Sequence, residues 1–182
     1  MQGLPKGLFT LTTHGTMDAI KRCNILAKKN KGQLPLKLRT GGKTDVRTQF
    51  AALCYRYKGD KLQICIVTSR RSKRWILPKG WPMHKMTPAD AAATEAWEEA
   101  GIKGRAIDRC LGVYAYVKPL TRGTAPVIVM VYPLAVDDIA KTWPEAHQRK
   151  RKWLSPKKAA RKLSEPELRR IVATFDPNKL KL

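Results

Sequence analysis

Apolar, aromatic and β-branched residues fill two blocks, 46–57 and 61–68, on either side of Gly59-Asp60. Such blocks around a two-residue turn predict a β-hairpin. A short block at 75–77 predicts a further strand that leads through Pro78, Lys79 and Gly80 into a loop. Strand signals resume at 106–117 and 126–136, where the run VIVMVYPLAV predicts burial on both faces. Residues 141–152 read as a polar loop that closes on Arg149, Lys150, Arg151 and Lys152 before Trp153 and Leu154. Ser155-Pro156 opens a helix. Another is predicted from Ser164, with Glu165, Pro166 and Glu167 in its first turn and Leu168, Ile171 and Val172 on its apolar side.

The best specified helix lies between these strands. Thr87 can cap it, Pro88 suits its first turn, Asp90 stands three residues after the cap, and Gly101 stops it. Ala91, Ala92, Ala93, Ala96 and Ala100 are strong helix formers with little bulk, so the helix can lie close against a sheet, and Trp97 reads as a packing residue. Strands alternating with a few helices predict a mixed α/β sandwich.

At 182 residues and 43% hydrophobic content the chain suits one domain with a substantial core. No stretch approaches the roughly 20 apolar residues of a bilayer span, and no compact apolar secretory segment opens the chain, so a cytoplasmic protein is expected. Cys23, Cys54, Cys65 and Cys110 have neither close pairing nor metal-ligand spacing, and His14, His84 and His147 are scattered. Reduced, buried thiols are predicted, and a structural zinc site is disfavoured.

Charge changes the picture most. The net charge is +23, which points to a polyanionic substrate or partner. Residues 1–50 hold ten lysines and arginines against two acids, 51–85 nine against one, and 141–182 thirteen against four. Residues 86–102 hold four acids and no lysine or arginine. Residues 1–44, rich in Lys, Gly and Thr, read as a flexible basic extension: either a solvated leader, with Met17 as a possible start, or an arm that contacts nucleic acid.

The concentrated acid is Glu95, Glu98 and Glu99, which share one helical face and repel one another unless a cation neutralises them. Oxygen ligands suit magnesium or manganese. Alone, three glutamates on a helix most often form a solvated surface. Here the spacing G-x14-E-x2-E-E-x-G-I and the entry WILPKGW resemble the Nudix box, G-x5-E-x7-R-E-U-x-E-E-x-G-U with U aliphatic. Gly80, Glu95, Ala96, Glu98, Glu99, Gly101 and Ile102 fit the pattern, whereas Met86 replaces its first glutamate and Thr94 its arginine.

SRRSKRWILPKGWPM and WPEAHQRKRKWLSPKKAARKLSEPEL resemble the diphosphoinositol and dinucleoside polyphosphate phosphohydrolase branch, over residues 46–175. The resemblance implies an α/β/α sandwich with a central mixed sheet, a Nudix domain over 45–182, and metal-assisted attack of water on a phosphoanhydride. It implies Glu95, Glu98, Glu99 and the Gly80 carbonyl as metal ligands, with Ser69, Arg70, Arg71, Lys79, Lys150 and Arg151 holding the polyphosphate. Glu98 is the candidate base. Glu145, more often a solvent-exposed loop acid, is the alternative. Two other readings stay open: a Nudix-like domain that binds RNA or nucleotides without efficient turnover, and removal of pyrophosphate from RNA 5′ ends.

Overall fold

A computed structural model describes residues 47–119 and 123–180; the predicted basic extension, His14 and Cys23 lie outside them. The elements are β1 Arg47–Lys58, β2 Lys61–Thr68, β3 Trp75–Ile76, β4 Lys79–Gly80, α1 Pro88–Ala100, β5 Ile102–Ala106, β6 Gly112–Pro119, β7 Thr124–Ile139, β8 Arg151–Leu154, α2 Pro156–Ala160 and α3 Pro166–Ala173, with a 3-10 turn at Pro177–Lys179. The hairpin forms as its composition dictates, Lys58 facing Lys61 and Gly59 taking a left-handed φ of 56°.

All eight strands join one mixed sheet in the order β3-β2-β1-β7-β5, with β4 on β1, β6 on β7 and β8 on β2. At its centre β1 runs parallel to β7, Arg47 opposite Val127 and Tyr55 opposite Ala135. Burial on both faces holds only for Val131–Leu134 of β7; from Thr124 to Val129 burial alternates and Ile128 is 38% exposed, which corrects the expectation for the first part of the apolar run. One face packs Leu53, Ile66, Val127, Val129 and Val131 against Leu163, Leu168, Val172 and Phe175 of the C-terminal helical segment. The other packs Phe50, Ala52, Tyr132 and Leu134 against Ala89, Ala92, Ala96 and Ala100 of α1. The small residues of α1 bring its backbone close to the sheet. This is the α/β/α sandwich.

Both ends of α1 follow their chemistry. Thr87 Oγ1 accepts the Asp90 N–H at 3.1 Å and donates to the Asp90 carboxylate at 2.7 Å. Gly101 ends the helix at φ 62°, where a Cβ would stand 2.9 Å from Trp143. Trp97 packs beneath the Lys103 ammonium, 4.6 Å from its ring centroid.

Four boundaries differ from expectation. The strand predicted over 106–117 is two strands, because β5 and β6 follow the same partner, and residues 107–111 span only the gap between Leu134 and Val131 of β7. β7 reaches Thr124 and Ile139 because pairing with β5, β6 and β1 carries it past its apolar core. The loop predicted over 141–152 yields its last residues to β8, where Arg151 and Lys152 pair with Val67 and Ile66. α3 begins at Pro166 with Glu165 at its cap, since proline fits the first turn. Cys54 and Cys65 are free and buried, but Cys110 is exposed in the 107–111 connection, which corrects the expectation of burial.

Candidate active site

The helical period turns Glu95 and Glu99 toward the sheet and leaves Glu98 exposed. Glu99 is only 6% exposed. It accepts the main-chain N–H of Lys79 at 3.2 Å and pairs with the Arg149 guanidinium. Arg149 also pairs with Glu145 and donates to the Thr68 carbonyl at 2.9 Å. Glu145 is therefore a held residue and not the solvent-exposed loop acid its position suggests: it meets Arg70 at 3.3 Å, and its N–H reaches the Glu98 carbonyl at 3.1 Å.

Glu95 lies over β4, where a Cβ on Gly80 would overlap its carboxylate. Glycine is required there. Burial, with Glu98 and Glu145 adding repulsion, raises the Glu95 pKa to about 7. Burial also raises Glu99 to about 7, opposed by Arg149 and reinforced by Glu95. No three His, Cys, Asp or Glu side chains are grouped as a metal cage among the described residues. The structure thus joins Glu95, Glu99 and Gly80, with Glu98 exposed beside Glu95. Buried carboxylates whose charges are uncomfortable so close together nonetheless suit a hard divalent cation, which would relieve both burial and repulsion.

The cations divide sharply. Lys79 extends its ammonium to Gln49 Oε1 at 3.1 Å and the Tyr116 hydroxyl at 3.2 Å; burial lowers its pKa to about 8. Arg70 and Arg71 stand exposed on the β2–β3 loop, which Ser69 ties through bonds to Ser72 at 2.8 Å and the Arg74 N–H at 3.1 Å. Lys118 is lowered by burial and by Arg47, Arg70 and Arg71, so these side chains share one field with the carboxylates. Arg47 and Lys118 both lie against Trp81, at 5.7 and 4.6 Å from its centroid.

Lys150 and Arg151 do not join this group. Lys150 is exposed and uses its main-chain N–H on Thr68 Oγ1 at 2.9 Å. Arg151 donates to the carbonyls of Ala100 and Ala140 and stacks 4.4 Å from the Trp143 centroid, so it ties β8 to the end of α1. From the same basic run the turn before β8 delivers Arg149 instead, its N–H on the Glu145 carbonyl at 3.1 Å. Nothing local marked Arg149, Gln49 or Tyr116. The two departures from the box meet each other, Thr94 Oγ1 standing 4.0 Å from Met86 Sδ. Positions where the pattern has glutamate and arginine thus hold a neutral contact.

A family profile described as NUDIX domain matches residues 47–175. Among curated proteins, rat diphosphoinositol polyphosphate phosphohydrolase 2 is 30% identical over 131 residues, covering 71% of this chain and 69% of that protein. Human diphosphoinositol polyphosphate phosphohydrolase 3-beta is also 30% identical, covering 71% of this chain and 76% of its own. In fold, the chain is similar to the Ap4A hydrolase of C. elegans, with a TM-score of 0.52 at 19% identity over 70% of this chain and 94% of that one. It is likewise similar to a MutT protein from Methanosarcina mazei Go1, with a TM-score of 0.55 at 22% identity over 78% and 100%. The glutamate helix, its glycine and a profile match across most of the chain agree: this protein belongs to the Nudix hydrolases, enzymes that cleave phosphorus-containing anhydrides.

Proposed function

We propose that the chain is a magnesium- or manganese-dependent hydrolase of phosphoanhydride bonds in polyphosphorylated small molecules, either diphosphoinositol polyphosphates or dinucleoside polyphosphates. The carrying observation is the pair Glu95, half-buried, and Glu99, buried, in the field of Lys79 and Arg149, with Lys118 near Glu99 and near Arg47, Arg70 and Arg71. Glu95, Glu99 and the Gly80 carbonyl would hold the cation, with Glu98 at the edge; when bound, it polarises phosphate oxygens and makes a bound water more acidic. Lys79, Arg70 and Arg71 offset charge on the substrate phosphates. Arg149 and the Lys79 N–H fix the rotamer of Glu99. Glu98, solvent-facing and in none of the described ion pairs, takes the proton from water. Ser69 shapes the loop that presents the arginines.

The names of the curated relatives favour the diphosphoinositol substrates. Buried, free Cys54 and Cys65 suit a reducing cytoplasm. The neutral Met86–Thr94 contact favours a second reading, a domain that binds RNA or nucleotides with little turnover. The deciding experiment measures phosphate release with magnesium or manganese from diphosphoinositol phosphates, diadenosine polyphosphates, nucleoside triphosphates and triphosphorylated RNA. Metal-dependent release that falls by orders of magnitude in Glu98→Gln and Glu99→Gln, with the fold intact, supports the hydrolase. Release from the RNA alone selects 5′-end processing. Absence of turnover with salt-sensitive RNA binding selects the binding module.

A further inference from the structure

We propose that Gln49, Lys79 and Tyr116 form a preassembled clamp for the non-bridging oxygens of one substrate phosphate. The proposal rests on the hydrolase reading for where the substrate lies, but not for the anion binding itself. The Tyr116 hydroxyl donates to Gln49 Oε1 at 2.8 Å, and the Lys79 ammonium donates to the same oxygen at 3.1 Å and to the hydroxyl at 3.2 Å. An ammonium has three donors and no acceptor. Two are held by neutral oxygens, which leaves a third N–H whose direction the first two fix.

The glutamine is constrained in the same way. Because an ammonium and a phenol both give it protons, its amide must present Oε1 to them and send its two N–H groups elsewhere. Gln49 is only 3% exposed, and no buried side-chain nitrogen or oxygen among the described residues lacks a hydrogen-bond partner, so the carboxamide is a fixed part of the cluster. None of the described ion pairs includes Lys79, so no carboxylate is hydrogen-bonded to this largely enclosed cation. An ammonium with one N–H to spare and no carboxylate bonded to it matches an anion that brings an acceptor oxygen and a negative charge.

Three elements make the clamp. Gln49 comes from β1, Tyr116 from β6 and Lys79 from β4, which pairs with β1 at Ala51. Along β4 the pleat sends consecutive side-chain positions to opposite faces, so Lys79 serves the clamp while the next residue, Gly80, receives Glu95. The main-chain N–H of Lys79 meanwhile holds Glu99. One short strand therefore sets the distance between the phosphate clamp and the carboxylates.

The test measures binding of inorganic tripolyphosphate to the full-length, metal-free protein by calorimetry at low salt, beside steady-state hydrolysis with magnesium. Tyr116→Phe removes the hydroxyl and keeps the ring; Gln49→Glu keeps the shape and puts a carboxylate on Lys79. Without the hydroxyl, Tyr116→Phe leaves the Lys79 ammonium aimed by Gln49 alone, which should weaken tripolyphosphate about 3- to 10-fold. Gln49→Glu should weaken it more than about tenfold. In both, KM should rise more than kcat falls, and the double variant should bind little worse than Gln49→Glu, since both changes act on one ammonium. Wild-type affinity in both single variants overturns the clamp, whatever the enzyme hydrolyses. Weakened anion binding in a chain that turns over none of the substrates keeps the clamp and removes the hydrolase reading. If Gln49→Glu does not fold, Tyr116→Phe alone decides.

Discussion

Glu95 and Gly80 are matched in size: the carboxylate occupies the place a methyl group would take. Gly80→Ala should abolish metal-dependent phosphate release while circular dichroism stays unchanged, because the displaced carboxylate leaves the site and not the core. The protonation of Glu95 and Glu99 also has a measurable sign. Both titrate near 7 in the folded chain against an ordinary 4.5, so between those values the folded chain retains protons that the unfolded chain has released. Stability from this source is therefore present below about pH 4.5, declines as pH rises toward 7, and is level above it. Lys79, lowered to about 8, acts only at higher pH. In metal-free protein the fall in melting temperature between pH 5 and 7.5 should be smaller in Glu95→Gln than in wild type. An equal fall in both would mean that Glu95 ionises without cost.

At the level of elements, the site depends on what other strands and turns bring to α1. Arg149 stands between Glu99 and Glu145 with both carboxylates partly or wholly enclosed, and removing one partner of a buried pair costs about 3–5 kcal/mol. Arg149→Ala should lose roughly that in denaturant unfolding at pH 8 and less at pH 6, where Glu99 can protonate. Equal losses would assign the effect to packing. Within the loop and helix, Met86→Glu with Thr94→Arg should couple favourably by about 0.5 kcal/mol in a double-mutant cycle, since the side chains already meet. The same division explains what could be foreseen. Thr87, Glu95, Glu99 and Gly101 were legible because the helical period and its caps are local. Arg149 and Glu99 are 50 residues apart, and Tyr116 and Gln49 are 67 apart; sheet register joins the second pair, and the packing of α1 against the turn before β8 joins the first. The basic run 149–152 was legible as charge, but which of its members faces inward is decided by where β8 begins.

Across the whole molecule, the sequence carries a charge of +23, while Glu99 is held inside the fold and Glu95 half-buried beside it. Its attraction for polyphosphate is felt over about 10 Å at 0.1 M salt. Tripolyphosphate affinity, read by calorimetry, should therefore drop steeply between about 50 and 200 mM salt, more steeply than the loss of Tyr116 alone would predict. A flat response would confine recognition to the clamp. The central pairing of β1 with β7 has a further consequence for how the protein is made. Arg47 meets Val127 and Tyr55 meets Ala135, so the first and seventh strands join only after everything between them has been synthesised. Contacts so distant in sequence slow folding. As the chain leaves the ribosome, the helix with its glutamates emerges after β1 and β2 but before β7, which completes the sheet beneath it, and the enzyme's chemistry becomes available in one late step.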